Sequence, residues 1–163
     1  MGVSTALRTG EARRFSAEER LEAAFSLAGG KAGLHSSKSP VRETPNEDSA
    51  TVIAMGEDCG VLAVADGLGG APGGQQASAL AVKCLVEAVR NATREGHDAR
   101  WGILNGFETA NEQVLALGIG AATTLTVAEV GGKSVRAYHV GDSQVIVTGQ
   151  RGKLKLQTIP HSP

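Results

Sequence analysis

Asp66 ends an uninterrupted run of small and branched apolar residues, Val61-Leu62-Ala63-Val64-Ala65, and is followed by Gly67, Gly69, Gly70 and Gly73. A carboxylate at a strand tip is held in a fixed place. The glycines let the backbone bend sharply and bring its carbonyls or amides close to a ligand. Oxygen ligands on a tight backbone suit hard divalent cations such as Mg²⁺ or Mn²⁺. The alternative is a turn in which Asp66 caps the following helix. Glu47 and Asp48 tip the balance towards a cation. They precede an apolar segment, 50–55, which pairs as a hairpin with 60–65 across Gly56-Glu57-Asp58. In a hairpin the start of the first strand lies beside the end of the second, so Glu47 or Asp48 approaches Asp66. Carboxylates converging at one sheet edge repel unless something positive sits between them. His139-Val140-Gly141-Asp142-Ser143 is another apolar strand ending at a turn with an aspartate, although Gly-Asp-Ser alone is a common hairpin turn. Arg42 is either a guanidinium fork for a phosphate near the same edge or a solvated surface arginine.

The elements that must position these residues follow from periodicity. Residues 1–15 read as loose. Ser16-Ala-Glu-Glu19 is a capping box for a short helix with Leu21, Phe25 and Ala28 on one face and Gly29-Gly30 as its stop. Residues 31–46, rich in Ser, Lys, Gly and Pro, read as irregular. Residues 61–65 do not alternate, so that strand is buried on both faces. Ala77, Leu80, Ala81, Cys84, Leu85, Ala88 and Val89 form one helical stripe over 74–94, and Ile103, Phe107, Ala110, Val114 and Leu117 another over 99–117. A short link makes these an antiparallel pair. Further strands are expected at 121–130, 134–140, 143–149 and 153–159. Runs of strands separated from a run of helices predict an α+β fold, an antiparallel sheet with the helix pair packed against it.

Composition narrows the function. The chain has 163 residues, 41% hydrophobic and 20% charged, with a net charge of −1. That balance fits one globular domain and gives no electrostatic footprint for nucleic acid or an anionic membrane. Phe15, Phe25, Phe107, Trp101 and Tyr138 are too few aromatics for a base-stacking surface. Cys59 and Cys84 form no C-x-x-C pair and read as small buried hydrophobes in a reducing, cytoplasmic setting. No apolar run approaches the roughly 18 residues of a membrane span, and no apolar signal core stands at the N-terminus. Asp66-Gly-Leu-Gly-Gly lacks both the lysine of a P-loop and the glycine spacing of a dinucleotide fold.

Four motifs in order resemble the metal-dependent protein serine/threonine phosphatases of type 2C, and among them the bacterial members. These are Arg42 to Asp48 ending in Asn-Glu-Asp, Asp66-Gly-Leu-Gly-Gly70, the threonine-rich Gly120-Ala-Ala-Thr-Thr-Leu-Thr126, and Gly141-Asp-Ser143. The resemblance covers about residues 31–163, leaving 1–30 as an extension with a short helix. It implies an antiparallel β-sandwich flanked by helix pairs, of which this chain would form the N-terminal two-thirds. It also implies two Mn²⁺ or Mg²⁺ ions, with a weak third. By that resemblance Asp66 bridges two metals, the Gly67 carbonyl binds one, Glu47 binds the second through water, and Asp48 supports the site. Arg42 would hold the substrate phosphate, and Asp142 would sit near the third metal. The implied activity is hydrolysis of phosphoserine and phosphothreonine on proteins by a metal-activated water, in a monomer whose partner is a phosphoprotein.

The chain also departs from the family pattern. Pro45 lengthens the spacing from Arg42 to Glu47 by one residue, and Leu68 stands where many eukaryotic members carry a histidine. Pro160 stands where the family has an aspartate before His-Ser, and nothing after Asp142 is acidic. These departures favour a second expectation, a phosphatase-like binding or regulatory module without turnover.

Overall fold

The computed structural model describes residues 5–16, 21–41, 44–69 and 73–161. In chain order the strands are β1 (Thr5–Ala6), β2 (Ala12–Phe15), β3 (Leu21–Leu27), β4 (Gly30–Ser36), β5 (Asp48–Ala54) and β6 (Cys59–Asp66). The helices α1 (Gly74–Glu95) and α2 (Ala99–Ala116) follow, then β7 (Leu125–Gly131), β8 (Ser134–Val140), β9 (Ile146–Thr148) and β10 (Leu154–Gln157). The fold is α+β. Its main sheet is antiparallel with strand order β2-β5-β6-β7-β8. The apolar run that ends in Asp66 is the middle strand of that sheet.

Each face of the sheet has its own cover. On one face Ile53, Val61, Ala63, Ala65, Leu125 and Val127 meet Ala81, Leu85, Val89 and Ile103 of the helix pair. Ile53, Val61, Leu85, Val89, Ile103 and Val127 are fully buried, each stabilising by about 1.5–3 kcal/mol relative to exposure. On the other face Val52 and Ala54 pack against Phe25 and Leu27, which belong to a smaller sheet of order β1-β3-β4. A separate β9–β10 pair follows the main sheet. Ser49 and Ser78 bond to each other at 3.1 Å, tying β5 to α1. Among the described residues every buried side-chain polar atom has a partner.

The expected helix after Ser16 is a strand. Ala23, Phe25 and Leu27 alternate with exposed residues and turn inward. Leu21 and Phe25 are four apart, a spacing that satisfies both a helix and a strand, and Leu27 settles it as period two. Ala28 and Gly29 both have positive φ, 49° and 72°. They are therefore the two-residue turn of a hairpin, with Leu27 paired to Gly30, rather than a helix stop. Part of the capping box, residues 17–20, lies outside the described residues. The segment 1–15, read as loose, supplies β2, which pairs with β5. The segment 31–46, read as irregular, contains most of β4. The later strands are shorter than expected: β7 starts at Leu125, and β9 and β10 span Ile146–Thr148 and Leu154–Gln157.

The helical hairpin depends on close approach. Asp98 caps α2 by accepting a 2.8 Å bond from the Trp101 amide. A Cβ on Gly102 would lie 2.9 Å from Val89 Cα and 2.8 Å from Ala92 Cβ. Backbone cannot yield as a flexible side chain can, so Gly102→Val should destabilise the fold by about 1–3 kcal/mol through overpacking. The expected readout is a melting temperature lowered by roughly 2–4 °C per kcal/mol. An unchanged melting temperature would show that the helices separate freely.

Candidate functional site

The sheet carries the acidic residues to one edge. Asp48 opens β5 and Asp66 closes β6, and the two are direct register partners. The chain leading into β7 continues this edge, because Thr124 donates its amide to the Asp66 carbonyl at 2.8 Å. Asp142 follows the end of β8, which pairs with the start of β7 at Val140 and Leu125. Glu47 comes from the segment before β5, whose carbonyl accepts the Gly67 amide at 3.1 Å. Three antiparallel pairings thus bring the ends of four strands to one rim.

The Asp66 backbone is clamped at both its amide and its carbonyl. Its amide donates to Thr124 Oγ1 at 2.9 Å, and its carbonyl accepts from Thr123 Oγ1 at 2.9 Å. Thr124 Oγ1 also bonds Ser143 Oγ at 2.9 Å, linking Asp66 to the Gly-Asp-Ser turn. Thr126 Oγ1 donates to the Ser143 carbonyl at 3.1 Å.

Glu47 is fixed in a different way. Ser78 of α1 donates to the Glu47 carbonyl at 2.6 Å. Asn46, buried, accepts from the Asp48 amide at 3.1 Å and donates to Ser36 Oγ at 2.8 Å. Gly67 and Gly74 are nearly in contact, since a Cβ on Gly67 would lie 2.2 Å from the Gly74 carbonyl. A Cβ on Gly74 would in turn lie 2.8 Å from Glu47 Oε1. Only the two bare glycines let the Asp66 loop, the Glu47 carboxylate and the first turn of α1 share this space. The first turn of α1 stands beside the Glu47 carboxylate.

The electrostatics match the geometry. Asp66 sits at an exposed rim, yet its carboxyl is crowded by protein. That desolvation comes first, followed by the charge and shared hydrogen bond of Asp48 and the charges of Asp142 and Glu47. Together they raise its pKa above the usual carboxylate value. The donors are all oxygen, the chemistry that Mg²⁺ and Mn²⁺ take, and their mutual repulsion is what a divalent ion would relieve. Among the described residues no three His, Cys, Asp or Glu side chains close around one ion position. A cation here would therefore keep several waters, as Mg²⁺ commonly does. Beside the carboxylates lies a cleft of about 210 Å³ lined by Asp66, Gly67, Leu68, Gly69, Ala122, Thr123, Thr124 and Asp142.

Of the residues expected from sequence, Glu47, Asp48, Asp66, Gly67 and Asp142 come to this edge. Arg42 lies outside the described residues, as does Gly70. The backbone roles of Thr123, Thr124 and Ser78 were not expected. The threonine pair was visible as part of a motif, but the motif does not show that its hydroxyls grip the strand carrying Asp66.

The sequence matches the protein family described as Protein phosphatase 2C over residues 38–163. The fold is similar to the crystal structure of the Mycobacterium tuberculosis serine/threonine phosphatase PstP/Ppp, with 25% identity and a TM-score of 0.57 over 91% of this chain and 54% of that one. It is similar to a bacterial serine phosphatase bearing an arginine-to-alanine mutation, with 23% identity and a TM-score of 0.58 over 93% and 62% of the two chains. It is also similar to serine-threonine phosphatase 2C from Toxoplasma gondii, with 19% identity and a TM-score of 0.56 over 94% and 55%. The chain thus spans between 54% and 62% of the length of these solved relatives. No curated protein matches it. Among the described residues no helix is long and apolar enough to cross a membrane.

The raised pKa of Asp66 has a consequence for stability. The folded protein holds this proton more tightly than the unfolded chain, so the contribution is present at acid pH. It is lost as pH rises through the folded pKa. Metal-free protein should gain stability on acidification from neutral pH towards the ordinary carboxylate range. Asp66→Asn should flatten that part of the profile and raise the neutral-pH stability by at most about 1 kcal/mol, because the rim is solvent-screened. Thermal melts in EDTA across pH test this, and a wild-type slope retained in the variant would contradict it.

Proposed function

Because this chain belongs to the protein phosphatase 2C family, matched over residues 38–163, we propose that it hydrolyses phosphoserine and phosphothreonine on proteins at the Asp66 edge. The observation that carries the reading is the pairing of Asp48 with Asp66 at one sheet rim, with Asp142 and Glu47 adding to the charge there. In this reading Asp66, Glu47, Asp48, Asp142 and the Gly67 carbonyl hold two Mn²⁺ or Mg²⁺ ions, with Asp142 nearest a weaker third. When bound, such ions would activate a water and offset phosphoryl charge.

The chain's own residues do the positioning. Thr123 and Thr124 hold the Asp66 carbonyl and amide from the β7 side, which fixes the backbone from which its carboxylate projects. Arg42, four residues before Asn46, supplies the guanidinium that holds the phosphate oxygens. The cleft walls at Leu68 and Ala122 exclude part of the solvent from the phosphate. Water's oxygen forms the new bond to phosphorus. The serine or threonine oxygen leaves in line and takes up a proton. The partner is a phosphoprotein, the acting form is a monomer, and the two free cysteines suit the cytoplasm.

One observation favours a second reading. Since no three ligating side chains close around one ion position among the described residues, the edge could bind a phosphorylated partner without turnover. Phosphate release from a phosphothreonine peptide separates the two. The expected outcome is release that requires Mn²⁺, stops in EDTA and falls at least about 100-fold in Asp66→Asn. Release indifferent to both overturns the metal-assisted mechanism. Peptide binding with no release selects the binding module.

A further inference from the structure

A second hollow adjoins the carboxylate cleft. It measures about 410 Å³ and lies between the last turns of α2 and the sheet, lined by Phe107, Val114 and Leu115 on one side and by Leu125 and Val140 on the other. Ala122 and Thr123 line this groove and the carboxylate cleft alike. The two hollows therefore share a wall at Ala122 and at Thr123, the threonine that grips the Asp66 carbonyl. A bound chain can lie across it with one residue on each side, because extended backbone advances about 3.3 Å per residue.

The chemistry of the groove is one-sided. Leu115 is 70% exposed and Val140 is 55% exposed, while the interior apolar residues of the same layer are sealed. Large apolar side chains gathered beside a cleft mark a contact surface rather than ordinary surface scatter. On the rim stands Glu108, which has no ion pair among the described residues, and the neighbouring cleft is lined by the carboxylates Asp66 and Asp142. An acidic residue is repelled there, and an aliphatic or aromatic one is not.

Resting on the phosphatase reading above, we propose that this groove is a specificity subsite that seats a bulky apolar side chain of the substrate, one to three residues from the phosphorylated position. The preferred substrate is then a phosphosegment with Leu, Ile, Met or Phe at one fixed flank, and the groove rejects Asp or Glu at that place. Continuity of the groove with the cleft makes one segment the occupant of both.

The test is a scan of fluorescent peptides carrying a non-hydrolysable phosphonate analogue of phosphothreonine, in which a single Leu or Asp is moved through the flanking positions, with binding read by anisotropy in Mn²⁺. At one position Leu should bind at least about tenfold tighter than Asp, the discrimination one buried aliphatic side chain can supply. Leu115→Asp should erase that ratio, and Asn111→Trp, which fills the groove, should do the same; Leu115→Met should retain it. Both altered positions are exposed, so folding is preserved. Hydrolysis of para-nitrophenyl phosphate, which has no flanking residue, should be the same in all four proteins. A flat peptide scan overturns the subsite even if para-nitrophenyl phosphate is hydrolysed. A groove occupied by a second copy of the chain, seen as a dimer that Leu115→Asp dissociates without changing the peptide ratio, also overturns it. Absence of Mn²⁺-dependent hydrolysis of para-nitrophenyl phosphate instead counts against the phosphatase reading, and the binding scan still decides the groove.

Discussion

Asp48 and Asp66 face each other as register partners across β5 and β6. Their separation is set by the spacing of an antiparallel ladder, and the two cannot move apart without breaking the hydrogen bonds of the sheet's centre. Two like charges placed so are unfavourable, and Asp142 and Glu47 add to the repulsion. Most of the surrounding structure can be understood as holding this arrangement against its own electrostatics. The sheet is covered on both sides, by the helix pair at Ile53 and Val61 and by the β3–β4 hairpin at Val52 and Ala54. Burial on both faces supplies the stability that the charged edge lacks.

The remaining supports act at short range, and each uses a small or hydroxylated residue. Thr123 and Thr124 hold the Asp66 backbone from the β7 side. Ser78 reaches from α1 to the Glu47 carbonyl. Gly67 and Gly74 bring the loop after β6 against the start of α1 so closely that any side chain would collide. Larger residues at these places would push the elements apart and dissolve the geometry. The economy of side-chain volume around the acids explains the concentration of Gly, Ser and Thr in the four motifs.

Much of this was legible in the sequence, for identifiable reasons. Val61–Ala65 forms the central strand that its apolar run predicts, although burial on both faces is incomplete because Val64, on the face away from the helices, is 45% exposed; the hairpin rule then brings Glu47 and Asp48 beside Asp66. The helix pair is legible because its stripes are long and periodic. The strand at Leu21–Leu27 was misread because Leu21 and Phe25 fit either period and Ser16 begins a helix-start pattern. β2 escaped notice because Arg13 and Arg14 are exposed within it. Its strand character comes from pairing with β5, which local sequence does not encode. The threonine clamp escaped for a similar reason, since Thr124 and Asp66 are 58 residues apart. Side-chain bonds to a distant backbone leave no periodic trace.

The order of strands in the main sheet has a kinetic meaning. β6 pairs with β7 only after the whole of α1 and α2 has been bridged, with Val64 meeting Thr126. The helical hairpin is built from contacts near in sequence and can form quickly, whereas this pairing must close a long loop first. The β5–β6 hairpin by itself brings only Asp48 and Glu47 to Asp66. Asp142 joins them when β7 and β8 zip on, together with the threonine clamp. The charged edge is therefore completed at the slow, topologically distant step of folding. That same pairing carries Leu125 and Val127 of β7 into the core, so the charged edge and the last part of the layer that supports it are completed together.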